Sequence, residues 1–277
     1  MSSRQFLDLG SQYRDYQNAK FVVIPVPYEK TTTYGKGARN GPSAILTASQ
    51  KLETFDEDLK LEPYKKAGIH TTRPIHISHI SSHVSRILND NKIPVVFGGE
   101  HSISPYAVKA CAEKYKDLSV LQFDAHADLR DSYQGSRENH ACPMRRILEI
   151  CPAVQVGIRS ISKEEHAFAE ESGQIKKIHW AKKIELAEKI ENQLSKDVYI
   201  TIDVDVFDPG LIPATGTPEP GGMFWYEVID ILSRVCRDKN VVGFDVVELA
   251  PIKGRHAPDF TIAKLVYKMM GYISSKS

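Results

Sequence analysis

Leu118-Ser-Val-Leu-Gln-Phe123 runs without a break into Asp124-Ala-His126-Ala-Asp128. An apolar strand that ends in carboxylates and imidazole is costly to bury unless a cation receives them. In extended chain, residues i, i+2 and i+4 face one side, so Asp124, His126 and Asp128 are expected to point at one spot. The pattern recurs. Val198-Tyr-Ile-Thr-Ile202 leads into Asp203-Val-Asp205, which is expected to serve another spot. A third strand, Ile93-Pro-Val-Val-Phe97, leads into Gly98-Gly99-Glu100-His101-Ser102. If the three strand ends meet, they supply enough carboxylate and imidazole for two divalent metals.

Working outward, strand and helix signals alternate along the chain. Strands are expected at 21–26, 93–97, 118–124, 154–158, 198–203 and 241–247, with a short one within 175–180. Helices are expected from Gly41-Pro42-Ser43 into the mid-fifties, at 75–88, 104–116, 143–150, 162–171, 183–195 and 224–237, and from about 259 onward. Continuous apolar strands separated by helices indicate an α/β fold, a three-layer αβα arrangement with a mostly parallel central sheet. In such sheets ligands bind beyond the carboxyl ends of the strands, where every acid cluster here lies. No linker or repeat interrupts residues 1–277, so one domain is expected.

Composition narrows the function classes. The 36 basic and 35 acidic residues are interspersed and nearly cancel, which gives no electrostatic basis for nucleic-acid or membrane-surface binding. No apolar run is long enough to span a membrane. Met1-Ser-Ser-Arg-Gln-Phe-Leu-Asp lacks the apolar core of a signal peptide, and the four cysteines show no metal or disulfide spacing. A cytoplasmic protein with free thiols is expected.

Carboxylate and imidazole donors without thiolate suit hard divalent ions, Mn²⁺ foremost. Two ions sharing carboxylates deprotonate a water between them near neutral pH. That chemistry hydrolyses an electrophilic carbon or phosphorus centre without a nucleophilic side chain. Competing readings are weaker. Phosphatases with a nucleophilic aspartate need a DxDxT pattern, absent here. A single-zinc deacetylase uses fewer carboxylates.

The three clusters, with Thr201-Ile-Asp-Val-Asp-Val-Phe-Asp-Pro209, Pro213-Ala-Thr-Gly-Thr-Pro-Glu-Pro-Gly-Gly222, Gly243-Phe-Asp-Val-Val-Glu248 and Arg39-Asn-Gly-Pro42, resemble the ureohydrolase (arginase/agmatinase) family over nearly the whole chain. The resemblance implies an arginase-like fold and two Mn²⁺ per subunit. His101, Asp124, Asp128 and Asp203 would hold one ion; His126, Asp124, Asp203 and Asp205 would hold the other. Asp128 would also orient the attacking hydroxide, Glu248 would pair with the substrate guanidinium, and His140 would transfer protons. A trimer or hexamer of the chain is implied as well.

The implied reaction converts agmatine to urea and putrescine, within polyamine biosynthesis. Alternatives are N1-aminopropylagmatine, 4-guanidinobutyrate, or a catalytically silent metal-binding homologue. The segment Leu129-Arg130-Asp131-Ser132-Tyr133 to Glu138-Asn139-His140 resembles agmatinases. Its acids Asp131 and Glu138 are expected to tolerate a substrate tail lacking carboxylate, whereas Arg130 and Arg137 would suit a carboxylated one. Glu100 is expected to support the ligands from behind, Asp245 to be structural, and Asp208-Pro209 to form a turn. His76, His79 and His83 read as a solvated helix face, His256 as a loop residue, and Cys142 as packing. Tyr28, Tyr34 and Tyr133 are candidates for stacking on substrate.

Overall fold

The computed structural model describes residues 4–183 and 187–276. Eight strands form one sheet: β1 (Phe21–Val26), β2 (Ile69–Thr71), β3 (Ile93–Gly98), β4 (Leu118–Phe123), β5 (Ala153–Ile158), β6 (Ile178–Trp180), β7 (Asp197–Asp203) and β8 (Asn240–Val247). Their spatial order is β2-β1-β3-β8-β7-β4-β5-β6, and every pairing is parallel.

Helices cover both faces, which is why the inner strands are apolar on both sides. On one face, Val95, Phe97, Phe123, Ile200 and Ile202 pack with helices Gly41–Ser49, Trp225–Asp238 and Ala257–Ser274. On the other, Val22, Val96, Val120 and Tyr199 pack with helices Ile80–Asn89, Ser104–Lys114 and Pro143–Leu148. The αβα layering expected from the strand pattern is present.

Three details depart from the sequence-based reading. The helix opening at Gly41 stops at Ser49, because the Ser49 hydroxyl donates back to Leu46 O and accepts from Leu7 N, tying that end to the N-terminal segment. The edge strand β2 was not anticipated, since three residues carry no periodicity. In the 183–195 stretch, helix is observed at Ala187–Glu191, and residues 184–186 lie outside the described part.

The order of the central strands sets up the site. β3, β8, β7 and β4 are consecutive neighbours, and their carboxyl ends deliver Glu100-His101, Glu248, Asp203-Asp205 and Asp124 respectively. Helix Lys163–Ser172 steadies the chain beyond β4. Its capping box joins Ser162 and Glu165, and the second Glu165 oxygen accepts from Leu129 N at 2.8 Å.

Candidate metal centre

The glycines ahead of His101 are dictated by crowding. A Cβ on Gly99 would sit 1.8 Å from the Tyr28 carbonyl oxygen. That close approach lets Gly99 N donate to Val26 O and Glu100 N to Tyr28 O, while Gly99 O accepts from Glu248 N. The ends of β1, β3 and β8 are thereby bound together, and His101 projects from the junction.

His101 is buried, and its Nδ1 has no hydrogen-bond partner. That atom lies 3.1 Å from Asp124 Oδ2, 3.1 Å from Asp128 Oδ2 and 3.6 Å from Asp203 Oδ2. The opposite nitrogen, Nε2, is 2.9 Å from Thr201 Oγ1, and the Thr201 hydroxyl donates to Asp245 Oδ1 at 2.6 Å. With its proton committed to Asp245, Thr201 can only accept from His101 Nε2–H. The neutral ring therefore turns the Nδ1 lone pair towards three carboxylates. A divalent cation resolves that clash of acceptors; without one, the ring takes a proton. Accordingly, although burial disfavours the imidazolium, Asp124 and Asp128 hold His101 protonated well above the usual range.

A second set lies beside the first. His126 Nδ1 is 2.9 Å from Asp205 Oδ2 and 3.7 Å from Asp124 Oδ1. Burial again opposes its charge, but Asp205 and Asp124 push it up to about 12. Donor atoms of His101, Asp124 and Asp203 lie within 4.8 Å of one another, as do those of Asp124, His126 and Asp205. Asp124 belongs to both groups. This donor set fits two divalent ions sharing a carboxylate.

The expectation that each strand end serves its own spot is corrected. β4 ends at Phe123, and Asp128 has φ +54°, so the alternation of an extended strand does not persist through 124–128. Asp124 and Asp128 face His101, whereas His126 faces Asp205. After β7 a 3-10 turn, Val204–Val206, brings Asp203 and Asp205 to the same centre. There Asp203 N-caps the turn, accepting from Asp205 N.

Like charges crowd this pocket. Burial first, then the neighbouring aspartates, hold Asp203 well above the usual carboxylate range and Asp128 up to about 7. Asp124 is held low despite its burial, because His101 and His126 flank it.

A cavity of about 250 Å³ opens over these residues, lined by His126, Asp128, Asp203, Asp205, His140 and Glu248, and by Thr32–Gly35, Arg130, Tyr133 and Ser160–Ser162. Glu248 is 7 % exposed and accepts from His101 N at 2.7 Å; burial pushes its pKa up to about 8. Its φ of +63° is unusual for glutamate and costs roughly 1–2 kcal/mol, a strain that places the carboxylate at the cavity. Burial lowers the His140 pKa from its ordinary value, which favours the neutral ring.

The two acids expected to tolerate a substrate tail lacking carboxylate do not line the cavity. Asp131 pairs with Arg137 and Arg146, and Glu138 lies with Tyr106 in a separate cleft. Arg130 does line the cavity, its guanidinium 4.7 Å from the Tyr133 ring centre and 3.8 Å from Glu165. Tyr34 stands at the cavity mouth, 81 % exposed, whereas Tyr28 contributes its backbone carbonyl to the β3 junction. His76 and His79 are exposed, Cys142 is buried, and Asp208 accepts from Gly210, Gly221 and Gly222 N in a turn.

Sequence reasoning passed over a chain of buried glutamines. Gln174 donates to Gln155, Gln155 to Gln122, and Gln122 Nε2 to Asp124 Oδ2 at 2.7 Å. The signal was available: Gln122 and Gln155 are the amides inside otherwise apolar strands, and a buried amide needs partners. Arg159 was passed over too; it donates to the carbonyls of Asp205, Phe207 and Glu219 and so holds the loop beyond the β7 acids.

Comparison with known proteins agrees with this fold. The family model described as Arginase family matches residues 19–271. The N(1)-aminopropylagmatine ureohydrolase of Synechocystis is 38% identical over 97% of this chain and 94% of its own length. The agmatinase of Pyrococcus horikoshii is 38% identical over 93% of each. The crystal structure of agmatine ureohydrolase of Thermoplasma volcanium superposes with a TM-score of 0.85 at 30% identity, covering 99% of this chain and 95% of that one. With the family model matched over residues 19–271 and relatives 38% identical across nearly the whole length, the chain belongs to the arginase family.

Proposed function

We propose that the protein is a dinuclear manganese ureohydrolase that cleaves agmatine to urea and putrescine. The observation that carries this reading is the pair of donor groups sharing Asp124 at the floor of a cavity that also holds Glu248 and His140. His101, Asp124, Asp128 and Asp203 would hold one Mn²⁺, and His126, Asp124, Asp203 and Asp205 the other. When bound, the ions supply a nucleophile by lowering the pKa of water.

The remaining work falls to side chains. Asp128 accepts a hydrogen bond from the attacking water and orients it. Glu248 accepts from the guanidinium N–H groups, a charge-assisted contact that fixes the electrophilic carbon. His140, neutral at rest, takes a proton from the water and passes it to the departing amine nitrogen as the C–N bond breaks. A cytoplasmic homo-oligomer, trimeric or hexameric, built from one domain per chain and serving polyamine synthesis, completes the proposal.

N1-aminopropylagmatine is the second substrate reading, favoured by relatives of that name at 38–40% identity. Urea release from the Mn²⁺-loaded protein, measured with agmatine, N1-aminopropylagmatine, 4-guanidinobutyrate and arginine, tests both. The expected result is a kcat/KM for agmatine or its aminopropyl derivative well above that for arginine. Comparable turnover of arginine refutes the assignment. Absence of urea from every guanidine with metal bound would favour the silent homologue.

A further inference from the structure

His140 is wired into the fold through one hydroxyl. Thr31 Oγ1 donates to Glu100 Oε1 at 2.8 Å. The same oxygen accepts from His140 N at 2.9 Å and lies 3.2 Å from His140 Nδ1. Glu100 is fully buried, and each of its oxygens faces two donors: Oε1 the hydroxyls of Thr31 and Ser102, Oε2 the backbone N–H groups of Lys30 and Thr31. That geometry leaves Glu100 no role except acceptor.

The consequence follows from counting protons. A threonine hydroxyl has one proton to give and two lone pairs to receive with. Thr31 gives its proton to Glu100, and one lone pair is taken by His140 N–H. The remaining lone pair faces Nδ1, so Nδ1 must carry a hydrogen. We propose that Glu100 and Thr31 act as positioning residues that hold neutral His140 as its Nδ1–H tautomer, leaving the Nε2 lone pair for the cavity.

This inference rests on the reading of His140 as the proton-transfer group and specifies how that role is enforced. In the wrong tautomer Nε2 would already bear hydrogen and could not accept the proton from water. In the right one, the water O–H bond breaks as Nε2–H forms. The imidazolium keeps Nδ1–H on Thr31, and Nε2–H then breaks to protonate the leaving nitrogen. The relay mirrors Asp245–Thr201–His101, where the hydroxyl proton also goes to a carboxylate but the other ring nitrogen is the one held. It also ties His140 to the loop whose next residues, Thr32 to Gly35, line the cavity.

The test combines a tautomer readout with kinetics. Long-range ¹H–¹⁵N NMR on ¹⁵N-histidine-labelled protein, loaded with diamagnetic Zn²⁺, should show His140 protonated at Nδ1 above pH 7. The His140→Asn spectrum assigns the signal among the 10 histidines. Thr31→Val should move His140 towards the Nε2–H form. It should lower kcat about tenfold to a hundredfold, the usual scale for groups that orient a working histidine, and leave KM within about twofold. Thr31→Ser, which keeps the hydroxyl, should restore kcat to within about threefold of wild type. An Nε2–H tautomer in the wild type overturns the proposal outright. So does a wild-type kcat in Thr31→Val, or a Thr31→Ser variant no better than Thr31→Val. Full activity in His140→Asn would instead remove the proton-transfer reading, and the NMR result would still decide whether the relay sets the tautomer.

Discussion

Replacing Glu248 with glutamine should make the metal-free protein more stable while abolishing its use of guanidines, and the gain should depend on pH. Burial raises the Glu248 pKa from 4.5 to about 8. A group whose folded-state pKa lies above its unfolded value favours folding fully only below the unfolded value. That contribution is lost as pH rises through the folded one. The cost of ionised Glu248 is therefore small below pH 4.5, grows between 4.5 and 8, and is complete above 8. At about 1.4 kcal/mol per tenfold, the full cost is about 5 kcal/mol.

Glutamine keeps the acceptor that Glu248 Oε1 offers to His101 N, so the backbone contact survives. For 277 residues, an unfolding entropy of about 0.6 kcal/mol per kelvin converts 5 kcal/mol into roughly 8 °C of Tm. Thermal melts of chelator-stripped wild type and Glu248→Gln should differ by about 2 °C at pH 5.5 and about 8 °C at pH 8.5. With metal restored, kcat/KM for agmatine should fall about a hundredfold or more, the scale of losing one partner of a buried charge pair. A gap that does not change with pH, or a variant less stable at pH 8.5, would refute the reasoning.

Two further outcomes follow from the same structure. Lys268 is 2 % exposed and its Nζ lies 3.1 Å from the fully buried Asp56 and 2.7 Å from Asp58, so Lys268→Met should strand a buried carboxylate and cost about 3–5 kcal/mol, a Tm loss of roughly 5–8 °C; an unchanged melt would show the pair to be dispensable. On the proposed dinuclear reading, Asp124→Asn should take the manganese that the protein binds, measured by elemental analysis after gel filtration, from two ions per chain to one or none, because both donor groups use that carboxylate; retention of two ions would sink the shared-ligand geometry.

The strand ends were legible because burying charge is expensive, and an apolar run stopping at acids names its own problem. The fold followed from apolar strands alternating with helices, and the candidate centre from the cost of burying those acids, since the parallel order brings β3, β8, β7 and β4 side by side. What the pattern could not carry was direction. Alternation holds only in extended chain, and it breaks at Asp128 with φ +54° and again at Gln134 and Gly135 with φ +48° and +78°. Past those reversals no spacing rule says which of Arg130, Asp131, Arg137 and Glu138 meets the cavity. The structure turns Arg130 in and pairs Asp131 with Arg137 outside it. Partners far apart in the chain were equally hidden. Thr31 reads as one threonine in a loop, and nothing local ties it to His140, which lies 109 residues on.

Threonine is the informative residue type here because a hydroxyl can pass on a direction. Carboxylates at Asp245 and Glu100 each claim the proton of a threonine, and each threonine then dictates which nitrogen of a histidine bears hydrogen. At His101 the outcome is a lone pair on Nδ1 for a cation; at His140 it is a lone pair on Nε2 for a proton. On the proposed reading, two identical side chains thus acquire opposite tautomers, and so separate tasks, from threonines that do not line the cavity. An imidazole left to water would sample both forms. Removing either hydroxyl should therefore damage one task and spare the other: Thr201→Val should weaken metal retention, whereas Thr31→Val should leave metal bound and slow turnover.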